Sequence, residues 1–187
     1  MSAPRTVALL GGSFDPPHIG HVLMASWALC QESVDEVWLL PTYAHPFGKD
    51  LSDFQVRCEL CELAIAHLGP DARVERIEAE LGGTSYTVRT LRALSERAPD
   101  VRWRWVGGAD TWNQRGSWKD WETLATMIEP LIVGREGAAT PSPFEDAPVL
   151  PNIASSDVRA RVAAAESIEG LVPAEVGERI ERLGLYR

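Results

Sequence analysis

A mostly parallel, doubly wound α/β sheet with helices on both faces is the fold this chain predicts, and three observations predict it. Short apolar runs rich in β-formers alternate with stretches of helical periodicity along the chain. The helical stretches are long enough to serve as βαβ crossovers, which make neighbouring strands parallel. The first apolar run ends directly in Gly11-Gly12 and then opens into a helical pattern, as a strand–turn–helix unit would.

Taken in order, Thr6 to Leu10 is the first strand, and a helix runs from Ile19 to about Glu32. Glu36 to Leu40 is the second strand, ended by Pro41. Phe54 to Leu68 has helical periodicity, and Arg73 to Ile77 reads as a short strand. Ser85 is placed to cap a helix that ends at Arg97, before Ala98-Pro99. Val101 to Val106 is a strand, Trp118 to Met127 a helix, and Pro130 to Val133 a strand. Gly137 to Pro151, with its four prolines, reads as a loop. Helices at Ser156 to Ala165 and Pro173 to Leu183 finish the chain. In sheets of this kind ligands sit at the carboxyl ends of the strands, near the switch in strand order. The segments after Leu10, Leu40, Val106 and Leu150 are therefore the expected ligand loops.

A length of 187 residues and a 45% hydrophobic share suit one domain, residues 1–187, with a sizeable core. A net charge of −9 argues against a nucleic-acid partner, since such binding neutralises phosphates with Lys and Arg. It leaves room for a small anion, because a few cations in one cleft create a local positive field. No apolar run reaches the roughly 18 residues of a membrane span, and Val7 to Leu10 is too short for a signal peptide. The expectation is a cytoplasmic protein with no membrane partner. Cys30, Cys58 and Cys61 make no even disulfide set, and the Cys58-x-x-Cys61 pair lies within a helical pattern, so buried or idle thiols are expected.

The segment Gly11-Gly12-Ser13-Phe14-Asp15-Pro16-Pro17-His18-Ile19-Gly20-His21 carries the strongest signal. Glycines let backbone approach a ligand without a Cβ in the way. The free N–H groups and dipole of the next helix favour an anion at its start. His18 and His21, three apart, can project from the first turn towards the same phosphates, and Gly20 leaves room for an adenine or ribose beside the helix. Two histidines at this spacing could also bind zinc, but His45 and His67 stand alone and no third ligand is obvious. Neither the phosphate-loop pattern nor the G-x-G-x-x-G dinucleotide fingerprint is present.

This segment resembles the (G/T)-F-D-x-x-H-x-G-H signature of the nucleotidylyltransferase superfamily, most closely that of bacterial nicotinate mononucleotide adenylyltransferases. The resemblance implies a Rossmann-like fold, ATP as substrate with Mg²⁺, and His18 and His21 on the ATP phosphates. It also implies ATP contacts from Gly11, Gly12, Ser13, Phe14 and Gly20. A late motif resembling I-S-S-T-x-[IV]-R reads Ile153-Ala154-Ser155-Ser156-Asp157-Val158-Arg159, with Ala154 for a Ser and Ser156 for a Thr. Both serines look like N-caps, and Ile153, Ser155, Ser156 and Arg159 would hold the β- and γ-phosphates. Lys49 matches the Lys of P-P-H-K, although the His before it is missing and His45 lies four positions upstream; Arg57 follows at the family's spacing. Lys49 joins His18, His21 and Arg159 as a catalytic candidate.

The resemblance extends to the acceptor. Ser85-Tyr86-Thr87 with Thr90-Leu91 is similar to the segment lining the nicotinate pocket, and Gly107-Gly108-Ala109-Asp110 to a G-x-D motif on the adenosine side. Trp118, followed by Lys119, is similar to the tryptophan that stacks on the pyridine ring, a contact an aromatic face suits. Trp118 and Trp121 could equally pack into the core. Asp15, Arg57, Ser85, Tyr86, Thr87, Trp118 and Lys119 are thus the acceptor candidates, and Gly108 and Asp110 join the ATP set. Two departures stand out: Arg89 replaces an Asp, and Lys119 replaces a His or Tyr. The expected reaction is AMP transfer from ATP to nicotinate mononucleotide. Nicotinamide mononucleotide or phosphopantetheine as acceptor, a nucleotide sensor without turnover, and a Rossmann-type oxidoreductase are the competing readings. No resident metal site is expected, and a homo-oligomer fits the partner expectation.

Overall fold

In the computed structural model, which describes residues 4–31 and 33–187, the alternating run becomes six parallel strands among the described residues. These are β1 (Thr6–Gly12), β2 (Glu36–Pro41), β3 (Ala72–Val74), β4 (Arg102–Gly108), β5 (Glu129–Arg135) and β6 (Val149–Leu150), ordered β3-β2-β1-β4-β5-β6. The helices are α1 (Ile19–Leu29), α2 (Phe54–Ile65), α3 (Ile77–Leu81), α4 (Thr87–Arg97), α5 (Ala109–Asn113), α6 (Trp121–Met127), α7 (Ser155–Ala163) and α8 (Ala174–Leu183).

The period-2 geometry of β1 explains why both faces are covered. Ala8 and Leu10 enter one core with Ala25 and Ala28 of α1 and Cys61 and Ile65 of α2. Val7 and Leu9 enter the opposite core with Ile77 of α3, Val88, Leu91 and Leu94 of α4, and Leu124 of α6. A third cluster joins Val22 of α1 and Leu60 of α2 to Val158 of α7 and Val176 and Ile180 of α8. Cys58 and Cys61 are fully buried on α2, and burial pushes both thiols up, as idle core groups.

Where the site lies follows from strand register. β1 pairs with β4 from Thr6 opposite Arg102 to Leu10 opposite Val106. Beyond that point Gly11 and Gly12 continue along β2, while Gly107 and Gly108 continue along β5. The two central strands part company, and a cleft opens at the switch in strand order.

Several expected boundaries move, each for a tertiary reason. The strand expected over Arg73 to Ile77 stops at Val74, and Ile77 begins α3, where it is fully buried against the β1–β4 face. Helix α6 starts at Trp121 rather than Trp118 because Asp120 takes a left-handed φ of 53°. Pro41 closes β2 from within, and Val149–Leu150, read as loop, pairs with β5 as an edge strand. Helix α1 ends at Leu29; its expected end at Glu32 lies outside the described residues. Helix α2 ends at Ile65 and passes into a 3-10 turn over Ala66–Asp71.

Candidate active site

The turn after β1 is held from several directions. Phe14 takes a left-handed φ of 48° and is buried, with its ring edge-on to His21 at 4.8 Å. The Arg57 guanidinium, only 1% exposed, donates to the carbonyls of Ser13 and Ser52 at 2.8 and 2.9 Å. Arg57 lines neither cavity described below and braces the turn from beneath. Asp15 is 4% exposed and accepts from Ser52 N at 3.1 Å and from Tyr186 Oη at 2.7 Å. Asp15, an acceptor candidate by resemblance, lines the first of the two cavities described below.

His18 caps the start of α1 with extended backbone, and the rings of His18 and His21 stack with centroids 3.7 Å apart. The backbone N–H of His18 donates to His21 Nδ1 at 3.1 Å. In the neutral ring this places the His21 proton on Nε2. His18 Nδ1 is buried with no hydrogen-bond partner among the described residues. Burial, followed by the positive Arg135, pushes His18 down to about 4. Burial, followed by His18 and Arg135, holds His21 well below the ordinary imidazole value. A Cβ on Gly20 would meet Cε1 and Nδ1 of His18 at 3.0 Å. The space that Gly20 was expected to leave for adenine or ribose is filled by this imidazole.

A cavity of about 570 Å³, a size suited to a nucleotide, opens over the parted strands. Gly11, Gly12, Ser13, Phe14, His18, Gly20, His21 and Lys49 line one side; Gly108, Asp110, Ile153, Ser155, Ser156 and Arg159 line the other. The serines do not cap α7, whose N-cap is Ala154. Ser155 Oγ instead donates to Pro16 O at 2.8 Å, and Arg159 Nη1 donates to Asp15 O at 2.6 Å, tying α7 to the histidine turn. Arg135, at the end of β5, donates to Asp110 Oδ2 at 2.9 Å and to Ile153 O at 2.8 Å. It is not among the residues expected from the sequence, where its signal is a cation two residues after the strand expected over Pro130 to Val133.

A second cavity of about 430 Å³ adjoins the first and shares Gly11, Gly12, Ser13, Lys49, Trp105 and Thr111 with it. Its far side holds Ser85, Thr87, Glu78, Thr90 and Trp118. Ser85 does not cap α4; its Oγ accepts from the backbone N–H groups of Tyr43 and Ala44 at 3.0 and 3.2 Å, fixing the loop after β2. Glu78 accepts from Tyr43 N at 3.1 Å and from Thr90 Oγ1 at 3.0 Å. An outer recess adds Tyr86 and Lys119 and shares with the second cavity Phe47, which is 78% exposed at the loop tip. Trp118 meets Trp105 edge-on at 5.0 Å and Trp121 at 5.8 Å, and Trp112 completes the cluster. Trp118 therefore both packs and lines the cavity, whereas Trp121 lines neither cavity. Arg89 is spent elsewhere, donating to the carbonyls of Leu81 and Gly82 that end α3.

Comparison with known proteins gives the family and the fold. The cytidylyltransferase-like family profile matches residues 9–161. The chain is 44% identical over 190 residues to a "probable nicotinate-nucleotide adenylyltransferase" of Anaeromyxobacter sp. (strain K), covering all of both chains. It is 34% identical over 188 residues to the nicotinate-nucleotide adenylyltransferase of Bacillus subtilis (strain 168), covering 97% of this chain and 98% of that one. The fold is shared with the Plasmodium falciparum nicotinic acid mononucleotide adenylyltransferase solved with NaAD, at a TM-score of 0.85 and 17% identity over 97% of each chain.

Proposed function

The chain belongs to the nicotinate-nucleotide adenylyltransferase family within the cytidylyltransferase-like proteins, and we propose on that premise that its two cavities are the two substrate sites. The reaction is transfer of AMP from ATP to nicotinate mononucleotide, giving deamido-NAD and pyrophosphate, a step of NAD biosynthesis. The observation that carries the site reading is the shared wall. Gly11 to Ser13, with Lys49 over them, belong to both cavities, so groups filling the two would meet there.

ATP takes the larger cavity, with its adenosine towards Gly108 and Asp110. Its phosphates lie among His18, His21, Lys49, Arg159 and the first backbone amides of α7 at Ser155 and Ser156. The acceptor takes the smaller cavity, its pyridine ring on Trp118 and its edge towards Ser85, Tyr86, Thr87 and Lys119. The acceptor phosphate is a dianion near neutral pH, so no general base is needed. One of its oxygens attacks the α-phosphorus, the bond to the β-phosphate oxygen breaks, and that electron pair leaves on pyrophosphate. The side chains contribute alignment and charge stabilisation. Neutral histidines suit this task as hydrogen-bond donors, and the Nε2 proton of His21 is one such donor.

Mg²⁺ enters as part of MgATP. Asp110, on the wall of that cavity, is paired with Arg135, and Asp15 is held by Ser52 and Tyr186. No group of three or more His, Cys, Asp or Glu among the described residues forms a metal cluster. No helix among them is long and apolar enough to cross a membrane, and the cytoplasm, where ATP is supplied, is the setting that fits the reaction. The test is pyrophosphate release from MgATP with nicotinate mononucleotide, nicotinamide mononucleotide and phosphopantetheine as separate acceptors. Preferential turnover of the nicotinate compound is expected. Release with a different acceptor alone would overturn the acceptor reading, and ATP binding without release would leave a nucleotide sensor.

A further inference from the structure

The penultimate residue of the chain reaches the catalytic turn, and the sequence gives this contact no local signal. Helix α8 ends at Leu183 and is capped by Gly184, whose left-handed φ of 61° reverses the backbone, with Gly184 N donating to Glu181 O and Leu185 N to Ile180 O. The reversal packs Leu185 and Tyr186 on the cluster of Val22, Leu60, Val158 and Ile180. Tyr186 itself takes a left-handed φ of 61°, and its hydroxyl donates to Asp15 Oδ1 at 2.7 Å. Asp15 is one residue from Phe14, whose ring packs on His21, and its own carbonyl accepts from Arg159. Burial, and then the bond to Asp15, push the Tyr186 phenol upward, so it remains a donor throughout the working range.

We propose that Tyr186 is a positioning residue for adenylyl transfer, fixing the Asp15 turn and, through it, the relative placement of His21 and Arg159. It acts from outside the reacting atoms. Its hydroxyl fills one of the two carboxylate positions of a buried Asp, and Ser52 N fills the other. Without that donor the carboxylate has a direct reason to rotate, and rotation would carry the turn's backbone with it. The inference rests on the transfer reaction proposed above and adds the C-terminal tail to the machinery.

The experiment compares wild type, Tyr186→Phe, Asp15→Asn and the double variant in pyrophosphate release at saturating MgATP with the acceptor varied through saturation. Phe keeps the ring that packs on α2, α7 and α8, so the fold should persist. Tyr186→Phe is expected to lower kcat about tenfold, with the acceptor KM held within about twofold. In the Asp15→Asn background the same change should cost less than about twofold, since the interaction it removes is already altered. A kcat equal to wild type would overturn the proposal. So would an equal loss in both backgrounds, or a loss that merely follows a lower folded fraction in thermal unfolding. Wild-type turnover in the same assay separately tests the reaction. If wild type releases no pyrophosphate with any acceptor, MgATP titration decides: several-fold weaker binding by Tyr186→Phe supports the proposal, and equal affinity overturns it.

Discussion

His18 and His21 stack ring on ring with centroids 3.7 Å apart, at the wall of the larger cavity. Burial disfavours the charged form of each ring, Arg135 acts in the same sense on both and His18 on His21, so both rings are neutral near pH 7.

A pH dependence follows. The unfolded chain takes up a proton near the ordinary 6.5, whereas folded His18 does so only near 4, chiefly because it is desolvated. Between these values the unfolded state binds more protons, so stability is full above 6.5 and is lost as pH falls towards 4. For His18 alone the difference is about 3 kcal/mol. Urea unfolding from pH 7 down to 4.5 should show this decline, and His18→Gln should flatten it. Parallel curves for the two proteins would contradict the assignment.

His21→Ala removes a donor aimed at developing charge and should lower kcat by about 10²–10³, or roughly 3–4 kcal/mol. Circular dichroism should remain that of the wild type. A loss under about tenfold would take His21 out of the transfer step.

Gly20→Ala separates stability from activity. Alanine favours a helix over glycine by roughly 1 kcal/mol, but here its Cβ lands 3.0 Å from the His18 ring. That ring is backed by His21 and cannot retreat without moving it. Turnover should fall about tenfold while the melting temperature changes little or rises. Unchanged turnover would show that the His18 ring is free to shift.

Lys119 shares the outer recess with Trp118 and Tyr86. A cation there favours a carboxylated ring over its amide, so Lys119→Ala should narrow the ratio of kcat/KM between the nicotinate and nicotinamide mononucleotides, by about threefold for one exposed charge. An unchanged ratio would remove Lys119 from acceptor choice.

Gly107→Ala tests the wall between the cavities. Its Cβ would fall 1.9 Å from the Trp105 ring, which is buried among Ala109 and Ile132. Overpacking of this kind costs about 1–3 kcal/mol or more, so a drop in melting temperature and loss of both substrate affinities are expected. Wild-type stability would mean that Trp105 can swing aside.

The parts of this protein legible in its sequence are those with local causes. The apolar run from Thr6 to Leu10, the glycine pair and the H-x-G-H spacing are all short-range patterns, and the structure brings the end of the run, the glycines and the histidines to one cleft. What escaped depends on distant partners. Ser85 has the chemistry of a cap, but the free N–H groups of Tyr43 and Ala44 claim its hydroxyl. Val149–Leu150 is a strand because β5 offers it an edge, and a run with so many prolines gives little hint of that. Arg57 had the right identity and the wrong neighbours, since its helix carries it beneath the turn. Arg135 and Tyr186 enter the site through contacts spanning 25 and 171 residues, beyond the reach of any window.

Of the seven tryptophans, four pack together between β4 and α6, three pairs edge to face and Trp105 on Trp112 stacked, and Trp105 and Trp118 line the smaller cavity. Neighbours this close pass excitation among themselves, so a ring laid on Trp118 drains light from the whole group rather than from one indole. The larger cavity touches the cluster through Trp105. If the acceptor takes the smaller cavity as proposed, indole emission would report its loading, with nucleotide arrival as a fainter signal and no attached dye.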